Sequence, residues 1–237
     1  VTPGVRFEHI RTFSDGYYKQ RVFDGAGNLV TETRMDESFS RIRSFLLAGL
    51  GVQFKATRQT ELYANFSQNY RAITFSDMRI NNPNIKVSPD LHDERGFNLD
   101  VGYRGHLKEL LYFDVSIYYL RYNDRIGYLL RSDEPPLYLP YRLRTNVADS
   151  RTYGLEGFAE LEWVRLLAGR KRAATLTTFI NLALTDGRYI NGDKTVARRR
   201  VELTPETMIR TGATCRWKGW SLSTQYSWTG RQYTDAT

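Results

Sequence analysis

The sequence has one cysteine, three methionines and no apolar run long enough for a membrane-spanning helix. The lone cysteine, Cys215, excludes a disulfide framework within the chain. The longest apolar run, residues 45–52, is far shorter than the ~20 residues that a spanning helix requires. Mean hydropathy is −0.51, which is not that of a helical membrane protein. These absences do not exclude a membrane β-barrel, because the apolar and polar faces of alternating strands average to near-zero hydropathy.

Apolar and polar side chains alternate along most of the chain, and this period of two is typical of β-strands. Leu62, Ala64 and Phe66 share one parity, for example, whereas Tyr63 and Asn65 share the other. Such alternation recurs in residues 5–13, 42–54, 62–70, 97–103, 111–122, 153–163, 176–184, 209–217 and 220–228. We therefore predict an all-β, antiparallel fold with about nine strands, and a turn rather than a helix after the sixth segment, at residues 163–172.

The lengths of the strands and connections favour a transmembrane barrel over a soluble β-sandwich. Most segments have about nine or more residues, whereas soluble strands average ~5–6 and tilted spanning strands need ~9–11. Long connections are predicted at residues 14–39, 72–95, 123–151 and 185–204, and they alternate with short ones at 55–60, 105–110 and 218–219. The connection at residues 164–173 is intermediate. Outer-membrane barrels place short turns on the periplasmic side and long loops on the outer side.

Aromatic residues, 14% of the chain, mark both ends of the predicted apolar face. Those near the short turns are Tyr103, Trp163, Trp217 and Trp220, and those near the long loops are Tyr70, Tyr153 and Trp228. Two such belts are typical of strands that cross a lipid bilayer. We therefore expect Leu62, Ala64, Phe66 and Tyr70 to face lipid and the opposite parity to line an aqueous interior. In the alternative, a soluble β-sandwich or propeller-like array, the apolar face would meet a core.

Residues 61–105 carry a more specific pattern. A strand ending in Asn69-Tyr70-Arg71 is followed by a loop with Pro89-Asp90-Leu91, the acidic pair Asp93-Glu94, and a strand of the form N-x-D-x-G-x-R-G. Together with the motif at residues 122–127 and Gly154-x-Glu156, this pattern resembles the barrel of TonB-dependent outer-membrane receptors. The DGAGN motif at residues 24–28 and the RQYTDAT ending at residues 231–237 resemble the ferric dicitrate receptor branch.

This resemblance covers essentially the whole chain and implies a Gram-negative outer-membrane barrel of roughly 22 strands with a plugged lumen. We expect residues 1–237 to be part of one such barrel domain, with the plug domain and the terminal strands outside it. The resemblance also implies no enzymatic activity, uptake of an iron chelate, and energy supplied by TonB through the plug. A passive porin or adhesive barrel and a soluble β-rich binding module are the alternatives.

Positive charge is concentrated in and beside the long loops, and the net charge is +8. A guanidinium group binds carboxylates and phosphates in bidentate geometry, so an arginine-rich outer mouth suits an anionic chelate such as ferric citrate. The candidate ligand-binding residues are Arg71, Arg79, Asn81, Asn82, Arg142 and Arg144. Alternatively, the loop arginines bind lipopolysaccharide or pair with loop acids such as Asp77, Asp90 and Asp149.

Other chemistries find little support in the sequence. The three histidines, His9, His92 and His106, are scattered without the spacing of a metal site, so we predict no metal ligands and no cofactor of the protein itself. Glu156, Glu160 and Glu162 share one face, where a hydrated lumen explains them better than acid–base catalysis. The tyrosines do not form a stacking platform beside a basic groove, so nucleic acid is not an expected partner. The expected partners are outer-membrane lipid, lipopolysaccharide, TonB and the chelate.

Overall fold

In the residues that it describes, the computed structural model of the chain contains ten β-strands and two short helices. It describes residues 1–78, 82, 84–135, 138–169, 173–192 and 194–234, apart from the side chains of Gln20, Phe23, Glu37 and Phe39. The strands are β1 (Thr2–Phe23), β2 (Leu29–Lys55), β3 (Thr60–Arg71), β4 (Ile85–Val87), β5 (Glu94–Leu107), β6 (Leu111–Arg131), β7 (Tyr141–Glu162), β8 (Ala174–Tyr189), β9 (Thr207–Trp217) and β10 (Trp220–Thr229). The helices are α1 (Phe75–Met78) and α2 (Trp163–Ala168).

Nine of the strands follow one another as neighbours in a single sheet, in the order β1-β2-β3-β5-β6-β7-β8-β9-β10. This confirms the predicted all-β fold, and each of the nine alternating segments coincides with one of these strands. From β2 to β10 the paired strands are antiparallel. The three-residue strand β4 lies off this path and pairs in parallel with β7. Among the described residues, no helix is long and apolar enough to cross a membrane.

The chain divides into two compact units. Residues 4–48 form a β-hairpin from β1 and the first part of β2, in which Asp24 organises the turn by accepting hydrogen bonds from the backbone N–H groups of Ala26 and Asn28. Lys19 and Arg21 both pair with Glu32 across this hairpin. Residues 1–3 and 49–237 form the second unit, which contains strands β3 to β10 and all of the sites considered below.

Two of the predicted long connections prove to be mainly strand. Residues 14–39 continue the hairpin of β1 and β2 on either side of a turn at residues 24–28, and residues 123–151 continue β6 and β7 on either side of residues 132–140. The alternation is interrupted there because β6 and β7 carry register irregularities between Tyr122 and Ile126. The turn predicted at residues 163–172 is also wrong in part. Glu162 caps helix α2 by accepting hydrogen bonds from the backbone N–H groups of Val164 and Arg165.

Candidate functional site

One face of the sheet of strands β3 to β10 is apolar and exposed. In one row across the strands, Leu62 lies opposite Tyr103, which lies opposite Val115. In the next row, Ala64 lies opposite Val101, which lies opposite Ile117. Ile117 lies in turn opposite Leu155, and Leu155 lies opposite Leu184. On β9 and β10, the same face carries Cys215 opposite Leu222 and Ile209 opposite Trp228. Ile117 is 59% exposed, Leu222 75% and Trp220 81%, so no other described part of the chain covers these side chains. A continuous exposed apolar surface of this kind marks contact with lipid or another protein.

The opposite face is polar, and its side chains bond to one another across strands. The Tyr63 hydroxyl donates to Asp114 Oδ1 at 2.7 Å, and Asn65 Nδ2 donates to Asp100 Oδ2 at 2.8 Å. Tyr118 and Thr185 share a hydrogen bond of 2.8 Å between their hydroxyl oxygens. Alternation therefore separates a water-compatible face from an apolar one, as the wall of a membrane barrel requires.

At the end of the sheet opposite the short turns, residues 72–78 and 84–93 fold back onto the extension of β6 and β7. Strand β4 provides the attachment, since Arg142 donates its backbone N–H to the Asn84 carbonyl at 2.8 Å and Ser88 donates to the Arg144 carbonyl at 2.9 Å. Asn146 adds three contacts. Its Oδ1 accepts from the His92 N–H at 2.9 Å, and its Nδ2 donates to the carbonyls of His92 and Asp124.

A buried carboxylate, Asp77, lies at the centre of this folded loop. Only 3% of its side chain is exposed, and it binds the guanidinium groups of Arg71, at 3.0 Å, and Arg144. Thr74 donates both its backbone N–H, at 3.0 Å, and its hydroxyl, at 2.7 Å, to Asp77 Oδ2. Burial alone raises the pKa of Asp77, but these hydrogen bonds and the two arginine charges outweigh it and lower the pKa from 3.8 to about 2.

Apolar packing and a second carboxylate complete this cluster. Ile73, Leu91 and Ile126 are buried together, with Met78 and Val87 packed against them. Glu94, also buried, accepts a hydrogen bond from Arg71 Nη1 at 2.6 Å and another from the Ile126 backbone N–H at 2.8 Å. The Arg144 guanidinium carbon lies 4.6 Å from the centre of the Tyr128 ring. We call residues 71–94 together with 126–146 of β6 and β7 the outer loop cluster.

The loop between β8 and β9 forms a second, separate core against β6 and β7. Tyr189, Val196 and Val201 are almost fully buried and pack with Leu129 and Val147. The Tyr189 hydroxyl donates to Glu202 Oε2 at 2.8 Å, and its backbone N–H donates to the Arg199 carbonyl at 2.9 Å. The extension of β6 and β7 is therefore held by loop residues from two neighbouring connections.

A family model described as a TonB dependent receptor-like β-barrel matches residues 1–237. The chain belongs to the TonB-dependent receptor family. Members of this family are outer-membrane receptors and transporters. A comparison with curated protein sequences gives no significant match.

Several solved structures of transporters and receptors have a similar fold. The chain is similar to the copper transporter OprC (19% identity, TM-score 0.67), covering 95% of this chain and 32% of that one. It is similar to the ferric citrate transporter FecA in the unliganded form (15% identity, TM-score 0.66), covering 99% of this chain and 30% of that one. A Serratia marcescens hemophore receptor, a double mutant of HasR in complex with its hemophore HasA and heme, shares 15% identity at a TM-score of 0.65, over 98% of this chain and 41% of that one.

Because all three sequence identities are low, these similarities show only that the fold is shared. The chain spans between 30% and 41% of the length of the three receptors. The resemblance of the sequence to the ferric dicitrate branch remains a prediction.

Four of the six predicted ligand-binding residues of this receptor barrel lie in the described part of the outer loop cluster. Arg71 and Arg144 meet on Asp77. Arg142 and Asn82 are brought close by β4, because Asn82 accepts the backbone N–H of Ile85 at 3.0 Å and Ile85 lies opposite Arg142. The other two, Arg79 and Asn81, lie outside the described residues.

Sequence reasoning treated Asp77 only as one of several loop acids and gave no role to Glu94 or Asn146. A local signal for Asp77 exists, since the spacing Thr74-x-x-Asp77 is that of a capped first turn of helix. No comparable signal exists for Asn146, whose partner His92 is 54 residues away. Within the described ranges, no group of three or more histidine, cysteine, aspartate or glutamate side chains could hold a metal ion.

Proposed function

We propose that this chain forms part of the barrel wall and the outer loops of a TonB-dependent transport receptor for an anionic ferric chelate, ferric citrate or a siderophore. Residues 1–237 would then be one part of a single barrel domain, whose plug and terminal strands lie outside this segment. The observation that carries the proposal is the gathering of Arg71, Arg142 and Arg144 in the outer loop cluster, at the long-loop end of an exposed apolar sheet.

The exposed apolar face supports an outer-membrane location. A soluble β-rich module would bury such a face, since burial of each large apolar side chain contributes about 1.5–3 kcal/mol. Aromatic side chains lie where two lipid–water boundaries would fall: Trp217 lies opposite Trp220 beside a short turn, and Tyr119 lies opposite Tyr153 towards the long loops. The proposed partners are accordingly outer-membrane lipid, lipopolysaccharide and, through the plug, TonB.

The ligand class rests on the arginines. Arg71 and Arg144 are held in place by Asp77, whereas Arg142 is exposed and, among the described residues, has no carboxylate within salt-bridge distance. Its five N–H donors suit a citrate or siderophore carboxylate. FecA and HasR, which are similar in fold, are a ferric citrate transporter and a hemophore receptor with heme, so a chelated metal is in keeping with the fold.

Uptake and binding by the full-length receptor test this proposal. We expect Arg142→Gln to weaken the binding of ferric citrate or the cognate ferric siderophore about tenfold, as the loss of one charge-assisted hydrogen bond predicts. The matched control is Arg58→Gln, which removes an exposed arginine beside a short turn. Equal affinity in the wild type and Arg142→Gln would contradict the role of the arginines. Uptake that persists without TonB would favour the passive porin.

A further inference from the structure

His92, in the outer loop cluster, has an oxygen acceptor opposite each of its two ring nitrogens. Its Nδ1 lies 3.0 Å from the Asp90 carbonyl oxygen, and its Nε2 lies 3.2 Å from Asp124 Oδ1. A neutral imidazole carries one N–H group, so it can donate a hydrogen bond to only one of these oxygens, whereas an imidazolium donates to both. The geometry around His92 therefore favours the protonated ring.

The backbone fixes the position of the Asp124 carboxylate. Asp124 lies at the register irregularity between β6 and β7 and has a left-handed backbone conformation, with φ at 57°. Aspartate adopts a positive φ more readily than most residues, and a β-bulge commonly re-aims the side chain that it carries. The Asp124 carbonyl accepts a hydrogen bond from Asn146 Nδ2 at 2.6 Å, and its backbone N–H donates to Asp149 Oδ1 at 3.0 Å. The carboxylate is therefore held in place as a partner for His92.

The charges around His92 are more negative than positive. The charged residues close in sequence to His92, or to its contacts Asp124 and Asn146, are Asp90, Asp93, Glu94, Arg95, Arg121, Asp124, Arg125, Arg144 and Asp149. Salt bridges pair Glu94 with Arg71, Asp149 with Arg121, and Arg144 with Asp77. Three aspartates and two arginines remain, and the guanidinium carbon of each of these arginines lies 5.9 Å from the centre of a tyrosine ring. The excess of carboxylates also stabilises an imidazolium.

We propose that His92 is a proton-dependent clasp: when protonated it ties the loop at residues 84–93 to β6 through Asp124, and when neutral it releases this contact. The pairing of β4 with β7 and the hydrogen bond from the His92 backbone N–H to Asn146 persist in both states, so deprotonation loosens the loop without unfolding it. The stabilisation is present below the usual histidine pKa of about 6.5 and is lost as the pH rises above that value. The clasp acts on the loop itself and requires no ligand.

The test measures hydrogen exchange at the backbone N–H groups of Leu91 and His92 in the full-length receptor in detergent, corrected for the intrinsic effect of pH. Between pH 5.5 and 8 we expect protection in the wild type to fall about two- to fivefold, as the loss of an exposed ion pair predicts. His92→Gln and Asp124→Asn should show the lower protection at both pH values, since asparagine also tolerates the positive φ at position 124. The matched control, His106→Gln, removes an exposed histidine beside a short turn and should behave like the wild type. A histidine-labelled NMR titration should show that His92 loses its proton at a lower pH in Asp124→Asn.

Three results would overturn the role of His92. The first is protection of Leu91 that stays constant in the wild type between pH 5.5 and 8. The second is a fall in protection that persists in His92→Gln, which would assign the pH dependence to another group. The third is an equal titration midpoint of His92 in the wild type and Asp124→Asn. Should Asp124→Asn fail to fold, the comparison of the wild type with His92→Gln decides alone.

Discussion

At the scale of the residue, the Asp77 carboxylate has a structural role in its loop. Its carboxylate is almost fully buried and accepts hydrogen bonds from Arg71, Thr74 and Arg144. Arg71 ends β3, Thr74 lies in the loop, and Arg144 lies on β7, 67 residues further along the chain. A buried charge is tolerable only when it is paired and hydrogen-bonded in this way. Arg71 and Arg144 therefore position the outer loop cluster before any ligand is present.

Removal of the Asp77 charge should open this loop. We expect Asp77→Asn to lower the local stability of residues 84–91 by about 3 kcal/mol, because two partly buried guanidinium groups lose their shared partner. Hydrogen exchange at the backbone N–H groups of Ile85 and Leu91 measures the effect. The control is Asp90→Asn, which changes an exposed acid of the same loop. Unchanged hydrogen-exchange rates in Asp77→Asn would show that the pairing of β4 and the apolar contacts are sufficient to keep the loop folded.

The lowered pKa of Asp77 gives this loop a pH dependence of known sign. The pKa is 3.8 for an unperturbed aspartate and about 2 in the folded loop, so the carboxylate contributes about 2 kcal/mol of stability above pH 4. This contribution should be lost as the pH falls from about 4 to about 2. In the wild type the exchange rates should rise over that window, and in Asp77→Asn the rise should be absent.

At the scale of the element, the register of β3, β5 and β6 depends on a close approach at Gly96. A Cβ atom at this position would lie 1.9 Å from the Arg121 carbonyl oxygen and 2.7 Å from Asn69 Oδ1. The clash with backbone cannot be relieved by rotating a side chain. The glycine therefore allows β5 to pair with β3 and β6 at the height where the outer loop cluster begins.

Gly96→Ala should destabilise the folded protein by about 1–3 kcal/mol, the usual cost of overpacking. Gly157→Ala on β7 is the matched control, since a Cβ atom there has nothing within 4 Å. Denaturant unfolding of both variants in detergent, followed by circular dichroism, compares them. Equal denaturation midpoints for the two variants would mean that the strands shift to accept the added Cβ atom without a loss of stability.

The elements also show where sequence patterns stop being informative. Alternation located all nine strands of the main path, because one face of each strand is apolar and the other polar. It missed the outward continuation of β6 and β7, where both faces are covered by loops and Leu129 and Val147 are as buried as Ile126 on the other face. It also missed α2, whose start depends on the capping contacts of Glu162 with Val164 and Arg165.

At the scale of the whole molecule, the exposed apolar face should govern solubility. We expect the chain to aggregate in buffer and to recover β-structure only in detergent or lipid, because none of the other residues that the structure describes covers Ile117, Leu222 or Trp220. Analytical ultracentrifugation and circular dichroism after refolding make the comparison. A compact, soluble monomer rich in β-structure would contradict the membrane location and favour the soluble binding module.

Sequence alone determined the strands, the two faces and the family of this protein. Those properties are local or repeated along the chain: a period of two sets which side chains share a face, and residues 61–105 carry enough of the pattern to identify the family. All six predicted ligand residues remain predictions, and two of them, Arg79 and Asn81, lie outside the described part of the chain.

Only the tertiary structure determines which charged side chains lie next to one another. Arg71 and Arg144 converge on Asp77 because β4 pairs in parallel with β7. Strand register likewise places Arg121 opposite Arg151, Arg151 opposite Arg188, and Arg188 opposite Arg200. Both arrangements depend on pairing between residues that are distant in the sequence, and a one-residue shift would move each side chain to the other face. Such pairing leaves no periodic signal, so arginines with the same local surroundings acquire different partners.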